Sequence, residues 1–173
     1  HQFVTGNKSY NLDLFMMGEE GVKYSFYKHH KGISIVEGVM GLYDGINHSL
    51  DNNSSAHLAR VLDLPVILIV SGGGKSTSIA AEVLGYKMLD SRVKIAGVII
   101  NRTTEAMYKH YKEAIEKYTG VECIGYLPKD ESLSVSSRHL GLLQAAEVDD
   151  LREKSKHLKG ILQKTIDVER LLE

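Results

Sequence analysis

Cysteine, proline and tryptophan are nearly missing from this sequence, which has one, two and none of them, respectively. The lone Cys123 excludes an intrachain disulfide, and its place in an apolar run favours a small core residue over a nucleophile. No apolar run approaches the roughly 20 residues of a membrane-spanning helix, and the N-terminus lacks a basic region followed by an apolar core. We therefore expect no membrane partner and a cytoplasmic location.

Excess charge of either sign is also missing. The formal net charge is -1, which argues against a large electrostatic attraction to nucleic acid, so we expect no nucleic-acid partner. With 43% hydrophobic and 25% charged residues, the 173-residue chain has the composition of an ordered globular protein with a proper core. We expect one folded unit over residues 1–148, followed by an amphipathic segment over residues 149–173.

Apolar runs that predict strands alternate with patterns that predict helices. The alternation predicts an α/β fold, with a mostly parallel sheet covered by helices on both faces. For the tail at 149–173, docking on its own domain and connecting to another domain remain open. The predicted strands cover residues 33–36, 65–70, 93–100 and 123–127, and the predicted helices run from about 19 to 30, 76 to 89 and 104 to 118, with a further helix capped by Ser54 or Ser55.

The stretch Glu-Gly-Val-Met-Gly-Leu-Tyr-Asp-Gly at residues 37–45 stands out. It follows the predicted strand at 33–36, and ligands of open α/β sheets bind outside the carboxyl ends of the strands. Glu37 and Asp44 would then face a site that the glycines allow the backbone to approach. The alternative is a tight turn with solvated acids.

A second glycine-rich turn, Ser-Gly-Gly-Gly-Lys-Ser-Thr-Ser at residues 71–78, follows the strand at 65–70. A phosphate-binding loop of the Walker A type requires a glycine where this chain has Ile69. The turn therefore fails that spacing. A strand-to-helix turn near the site is the favoured interpretation, and phosphate binding by Lys75 is the alternative.

Taken together, four motifs resemble a known family: Asn-Leu-Asp at 11–13, the stretch at 37–45, Gly-Val-Ile-Ile-Asn-Arg at 97–102 and Ser-Arg-His-Leu-Gly-Leu at 137–142. The chain resembles the synthetase domain of cobyrinic acid a,c-diamide synthase, an ATP-dependent amidating enzyme of cobalamin biosynthesis, up to about Glu147. The resemblance implies a P-loop NTPase-like fold related to dethiobiotin synthetase. It also implies a corrinoid substrate and ammonia from a glutamine-hydrolysing domain in the same polypeptide.

The resemblance also implies roles for individual residues. Glu37 would be a catalytic acid that holds Mg²⁺ beside ATP. Gly38 and Gly41 would bring backbone amides towards the transferring phosphate. Asn101 would read the adenine of ATP, since its side chain offers both a donor and an acceptor.

For the substrate side, the resemblance implies that Asp44 is catalytic and positions the substrate or the ammonia. Tyr43 would border the corrinoid, and Asp13 is a further expected substrate ligand. Arg138 and His139 carry the last motif without an assigned role.

Departures from the family pattern set further expectations. The family's phosphate-binding loop is expected upstream of the position of His1, and its glutaminase domain beyond Glu173. Ser71 stands where the family usually has aspartate. We expect this piece alone to bind ATP weakly and not to make the diamide, and a homodimer is possible for the parent enzyme. A dethiobiotin-synthetase-like enzyme that activates carboxylates and a partitioning-type P-loop ATPase switch are the alternatives.

Overall fold

A computed structural model of the chain describes residues 1–133 and 151–172. Arg138, His139 and the expected boundary at 148/149 lie outside the described residues. No helix in these two ranges is long and apolar enough to cross a lipid bilayer. The helices are α1 Gln2–Thr5, α2 Leu14–His29, α3 Ser55–Val61, α4 Ser78–Leu89, α5 Glu105–Thr119, α6 Leu151–Thr165 and α7 Val168–Leu172; the strands are β1 Val66–Ser71, β2 Ile95–Asn101 and β3 Cys123–Leu127; short 3-10 helices cover Ile46–His48 and Glu131–Leu133.

The chain divides into two compact units. One, the sheet unit, comprises His1–Ser9, Ile67–Gly85 and Ala96–Glu173. The other, the motif unit, comprises Tyr10–Val66 and Tyr86–Ile95 and carries the stretch at 37–45.

The sheet unit contains nearly all of a three-stranded sheet with the order β1-β2-β3. Strands β2 and β3 are parallel, with Val98 opposite Cys123 and Asn101 opposite Leu127. Just beyond the end of β1, the Gly72 N–H donates to the Asn101 carbonyl at 2.9 Å. This arrangement confirms the expected α/β fold with a parallel sheet, and the three predicted strands from residue 65 onwards are present.

Helices α4 and α5 supply much of the core of the sheet unit. Ile79, Val83 and Ile115 are fully buried, as are Val98 and Ile100 of β2. Thr104 caps α5 by accepting a hydrogen bond from the Met107 N–H at 3.3 Å. The core therefore forms where the apolar faces of these helices pack against β2, the central strand of the sheet.

The amphipathic tail docks on its own unit. Helix α6 packs against β3 and ends before Ile166, which forms an isolated antiparallel bridge with Gly125. The Asp167 N–H donates to the Ile124 carbonyl at 2.9 Å. The tail therefore covers part of the free edge of β3, which would otherwise expose unpaired backbone groups. Its further role as a connector remains a prediction.

The motif unit is organised around a small apolar cluster. Asp13 caps α2, because its Oδ1 accepts hydrogen bonds from the backbone N–H groups of Phe15 and Met16 at 2.9 and 3.1 Å. The helix thus begins at Leu14, before the predicted start at Glu19, and is interrupted at Gly18, whose φ is 64°. The cluster consists of buried Leu14, Val22 and Leu62, with Leu12, Phe26, Leu58, Val61 and Leu64 packed against it.

The predicted strand at 33–36 is wrong for this structure. The segment forms no strand with any described residue, and Ile33 and Ile35 are 70% and 91% exposed. Isoleucine and valine favour strands, yet a strand also requires backbone partners and a surface on which to pack. Within residues 1–133 and 151–172 this segment has no strand partner, and only Val36 in it is partly buried, so Glu37 does not follow a strand here.

Candidate functional site

Asp44 lies folded back over Gly41. The Asp44 N–H donates to the Gly41 carbonyl at 3.0 Å and closes a turn. A Cβ atom at Gly41 would lie 2.9 Å from Asp44 Cγ and closer still to Oδ2, so a larger residue at this position would displace the Asp44 carboxylate. The Asp44 side chain is exposed, which leaves its carboxylate accessible to a ligand.

Backbone hydrogen bonds join this turn to the segment at 49–56. The Ile46 N–H donates to the Asn52 carbonyl, and the Ala56 N–H donates to the Leu42 carbonyl, both at 2.8 Å. A Cβ atom at Gly38 would lie 2.9 Å from Ser55 Oγ, so the chain beside Glu37 passes close to the start of α3. Glu37 itself is exposed. The structure therefore brings Gly38, Gly41 and Asp44 onto one folded support.

Tyr43 uses its hydroxyl inside the motif unit. It donates to the Tyr86 carbonyl at 2.6 Å, and the two rings stack with centroids 6.0 Å apart. Burial raises the pKa of the Tyr43 hydroxyl, the nearby Asp90 carboxylate acts in the same direction, and Arg60 opposes both. Tyr43 is therefore a neutral, half-buried side chain fixed at both its ring and its hydroxyl.

A cluster of four charged side chains lies in the same unit, and no pattern in the sequence predicted it. The Arg60 cluster consists of Asp51, Arg60, Asp90 and Arg92, in which Arg60 pairs with Asp51 and Asp90. Arg92 pairs with the same two carboxylates. Because the partners of Arg60 are separated from it by 9 and 30 positions, no periodicity in the sequence could have indicated the group.

The remaining predicted residues occupy local structural positions. Asp13 serves as the cap of α2, and its contact with substrate stays a prediction. Asn101 ends β2 in the sheet unit, half-buried, with its carbonyl bound by the Gly72 N–H. It is followed by Arg102, whose φ of 59° turns the chain out of the strand. Asn101 thus lies at the carboxyl end of a parallel strand, where ligands of such sheets bind.

The glycine-rich turn at 71–78 is braced by side chains of its own unit. Lys75 Nζ lies 2.5 Å from Glu82 Oε2 and 3.1 Å from the Ser71 carbonyl. The buried Tyr111 hydroxyl is 2.7 Å from the Gly72 carbonyl. Since the Lys75 charge is already paired, these contacts favour the strand-to-helix turn over phosphate binding.

Comparison with known proteins places the chain in a family. The family described as "AAA domain" matches residues 10–137. The chain belongs to this AAA domain family. The match spans both compact units and is consistent with the P-loop-type α/β fold expected from the sequence. No solved structure matched the chain.

Several curated relatives of this AAA domain chain share a name. Proteins called cobyrinate a,c-diamide synthase from Fusobacterium nucleatum, Caldanaerobacter subterraneus and Clostridium acetobutylicum are 67%, 46% and 43% identical to it. Each comparison covers 99% of the chain but only 39%, 38% and 40% of the relative. The resemblance drawn from the motifs is confirmed, and the chain spans about two fifths of the length of these relatives.

Metal binding was expected at Glu37. Among the described residues, no group of three or more histidine, cysteine, aspartate or glutamate side chains is placed to hold a metal ion. Magnesium in ATP sites is commonly held by one or two carboxylates together with phosphates and water. Glu37 is exposed, and its role as a magnesium ligand stays a prediction.

Cys123 is a core residue, as its sequence context indicated. It is 3% exposed in β3, and burial raises the pKa of its thiol to about 12. A thiol with so high a pKa is almost entirely protonated at neutral pH, and the thiolate is the nucleophilic form. Cys123 is therefore unsuited to serve as the nucleophile of a glutaminase.

Proposed function

We propose that this AAA domain chain is part of a cobyrinate a,c-diamide synthase, which uses ATP and glutamine-derived ammonia to amidate the a and c carboxylates of cobyrinic acid. The observation that carries the proposal is 67% identity over 172 residues to the Fusobacterium nucleatum protein of that name. The activity belongs to the longer protein, with a corrinoid substrate, a glutaminase domain in the same polypeptide and a possible homodimer. The isolated chain is expected to be inactive.

A carboxylate is a poor electrophile, so the proposed reaction first activates it by phosphorylation. A carboxylate oxygen of the substrate attacks the γ-phosphorus of ATP, the bond to the ADP oxygen breaks, and an acyl phosphate forms. The nitrogen lone pair of ammonia then attacks the carbonyl carbon, and phosphate leaves with the electrons of the broken C–O bond. The released proton goes to a base or to water, and the amide remains.

Glu37 and the two glycines after it are assigned to the nucleotide. Bound Mg²⁺ would offset charge on the phosphates, and Glu37 is the carboxylate that would hold it. Gly38 and Gly41 lack side chains, so their backbone amides can approach an anionic oxygen closely. Asn101 would accept from and donate to the edge of the adenine.

Asp44 and Tyr43 are assigned to the substrate side. The exposed Asp44 carboxylate would accept hydrogen bonds from the incoming ammonia and so orient it towards the carbonyl carbon. The half-buried Tyr43 ring would border the corrinoid, while its hydroxyl stays bound to the Tyr86 carbonyl. The hydrogen bond that closes the turn between Gly41 and Asp44 supports a fixed position for the backbone that carries this carboxylate.

The test uses the full-length protein that carries this chain, supplied with cobyrinic acid, MgATP and either glutamine or ammonium. Conversion to the diamide, detected by mass spectrometry, would support the proposal, and an absence of product with both nitrogen sources would refute it.

A second arm tests Glu37. Glu37→Gln keeps the size of the side chain but removes its charge, so turnover should fall by about 100-fold or more while the far-UV circular dichroism spectrum stays the same. Glu122→Gln, which alters a partly exposed ion pair with Arg170 in the sheet unit, is the control. Full activity of Glu37→Gln would remove Glu37 from the metal site.

A further inference from the structure

Arg60 bridges three parts of the motif unit. Its guanidinium donates to Asp90 Oδ2 at 2.6 Å and to the Leu50 carbonyl at 3.0 Å, and it also pairs with the Asp51 carboxylate. The Arg60 side chain is only 12% exposed. One side chain of α3 thus joins the loop before that helix to the segment that follows α4.

Asp90 is a firm anchor for this bridge. Its side chain is 3% exposed and also receives hydrogen bonds from Arg92, through the backbone N–H at 3.0 Å and through Nε at 2.8 Å. The hydrogen bonds from Arg92 lower the pKa of the Asp90 carboxyl, and the charge of Arg60 acts in the same direction. Asp90 is therefore a carboxylate at neutral pH and keeps its pairing with Arg60.

The loop that Arg60 holds is the one that supports the turn at 41–45. Leu50 and Asp51, both bound by Arg60, directly precede Asn52, whose carbonyl accepts the Ile46 N–H at 2.8 Å. A Cβ atom at Gly45 would lie 3.1 Å from the Ser49 carbonyl oxygen, so the turn and the loop pack in close contact. A shift of the loop would therefore shift the turn.

Tyr43 contacts the same segment of the chain that contains Asp90. The Tyr43 hydroxyl donates to the Tyr86 carbonyl, in the same segment at 86–92 that Asp90 anchors. Asp90 and Arg60 also influence the pKa of the Tyr43 hydroxyl in opposite directions, which places both charges close to it. Arg60 thus supports the turn on two sides, through the loop at 50–52 and through the segment that binds Tyr43.

We propose that Arg60 is a positioning residue that fixes Tyr43 and Asp44 for the corrinoid and the ammonia. This inference rests on the proposed function of those two residues. Arginine is required because its planar guanidinium serves three acceptors in different directions. Lysine would keep the positive charge, but its single compact ammonium group cannot reach all three acceptors.

The test compares Arg60→Lys with wild type in the full-length protein. We expect kcat/KM for the corrinoid to fall at least tenfold, while KM for ATP changes less than twofold. Lys94→Ala is the matched control, since it removes an exposed ion pair with Asp63 in the same unit; both constants should stay within twofold of wild type. Equal losses for corrinoid and ATP in Arg60→Lys would overturn the proposal.

A double substitution separates positioning from general destabilisation. Because Arg60 acts in part through Tyr43, the loss of kcat/KM caused by Arg60→Lys should be at least threefold smaller in a Tyr43→Phe background than in wild type, since coupled residues are not additive. Full additivity would contradict the proposal. Asp51→Asn, at an exposed position, weakens the pairing of the loop with Arg60 and Arg92 but leaves the bond between Arg60 and Asp90 in place. It should lower kcat/KM for the corrinoid at least threefold without reducing Tm by more than about 3 °C. Wild-type kinetics in Asp51→Asn would count against the loop route even if Arg60→Lys fails to fold.

Hydrogen exchange gives a readout that does not depend on the reaction. The amides of Ile46 and Ala56 close the hydrogen bonds between the turn and its support. Both should exchange at least tenfold faster in Arg60→Lys than in Lys94→Ala, and equal rates would overturn the positioning role. If the wild-type protein makes no diamide, the proposed function fails, whereas this exchange measurement still decides whether Arg60 fixes the turn.

Discussion

Gly41→Ala should move the Asp44 carboxylate without disturbing the fold. An alanine Cβ at Gly41 would lie 2.9 Å from Asp44 Cγ, whereas ordinary van der Waals contact begins near 3.4 Å. Cγ must therefore move by at least 0.5 Å, the difference between these distances, and Oδ2 must move further. The atoms displaced belong to the end of an exposed side chain, so the backbone need not shift.

The displacement sets the size of the expected effect. A misplacement of about 1 Å in a reacting group can cost roughly 100-fold in rate, so we expect turnover to fall by about 10- to 100-fold. This range corresponds to about 1.4 to 2.7 kcal/mol in the activation barrier. The free energy of unfolding should change by less than about 1 kcal/mol, since surface substitutions that clash only with a mobile side chain cost little.

The assay measures diamide formation by the full-length protein under saturating ATP and glutamine. Gly85→Ala in α4 is the matched control, because a Cβ there meets no atom within 4 Å, and its turnover should equal that of wild type. In an Asp44→Ala background, Gly41→Ala should add less than threefold, since the group that it displaces is already gone.

Two results would refute this reasoning. Wild-type turnover in Gly41→Ala would mean that the position of the Asp44 carboxylate does not matter to amidation. A full effect of Gly41→Ala in the Asp44→Ala background would mean that the loss arises elsewhere, for example from a rotated backbone amide at residue 41.

Two further predictions concern the sheet unit. Asn101→Ala should reduce the preference for ATP over GTP by about tenfold, the value of one or two lost hydrogen bonds, and an unchanged ratio of kcat/KM values would remove Asn101 from the adenine site. Gly125→Ala would place a Cβ atom 2.7 Å from Ile166 Cα, so it should lower the free energy of unfolding by about 1 to 3 kcal/mol in urea titrations. Gly160→Ala in α6 meets no atom within 4 Å and should raise the free energy of unfolding by about 0.5 to 1 kcal/mol; equal stability of the two variants would contradict the close edge contact.

Several elements followed from local sequence signals. The apolar run after Pro65 became β1, and the run from Cys123 to Leu127 became β3 at the predicted bounds. Ser54 caps α3 as expected, accepting from the His57 N–H at 3.1 Å. These features depend on residues within one turn or one strand of each other, so the chain itself carries the information.

Two other features were predicted wrongly or missed, for different physical reasons. The run at 33–36 has strand-forming residues, yet its conformation depends on a neighbour that the described residues do not supply. The helix from Glu19 was predicted at its start, since the non-helical Gly18 interrupts α2, but the helical turn before Gly18, which Asp13 caps, was missed. In each case a local preference was clear, and a competing contact or the lack of one decided the outcome.

The sequence by itself determined the order of the elements from α3 onwards, the parallel α/β class and the membership of the AAA domain family, because periodicity, caps and motifs are all local properties. Only the tertiary structure decided that Arg60 meets Asp90 and that Tyr43 binds the Tyr86 carbonyl, pairs separated by 30 and 43 positions. Such long-range contacts depend on the tertiary fold, which brings distant parts of the chain together. No spacing rule along the sequence predicts these two contacts, which join the candidate site to the segment at 86–92.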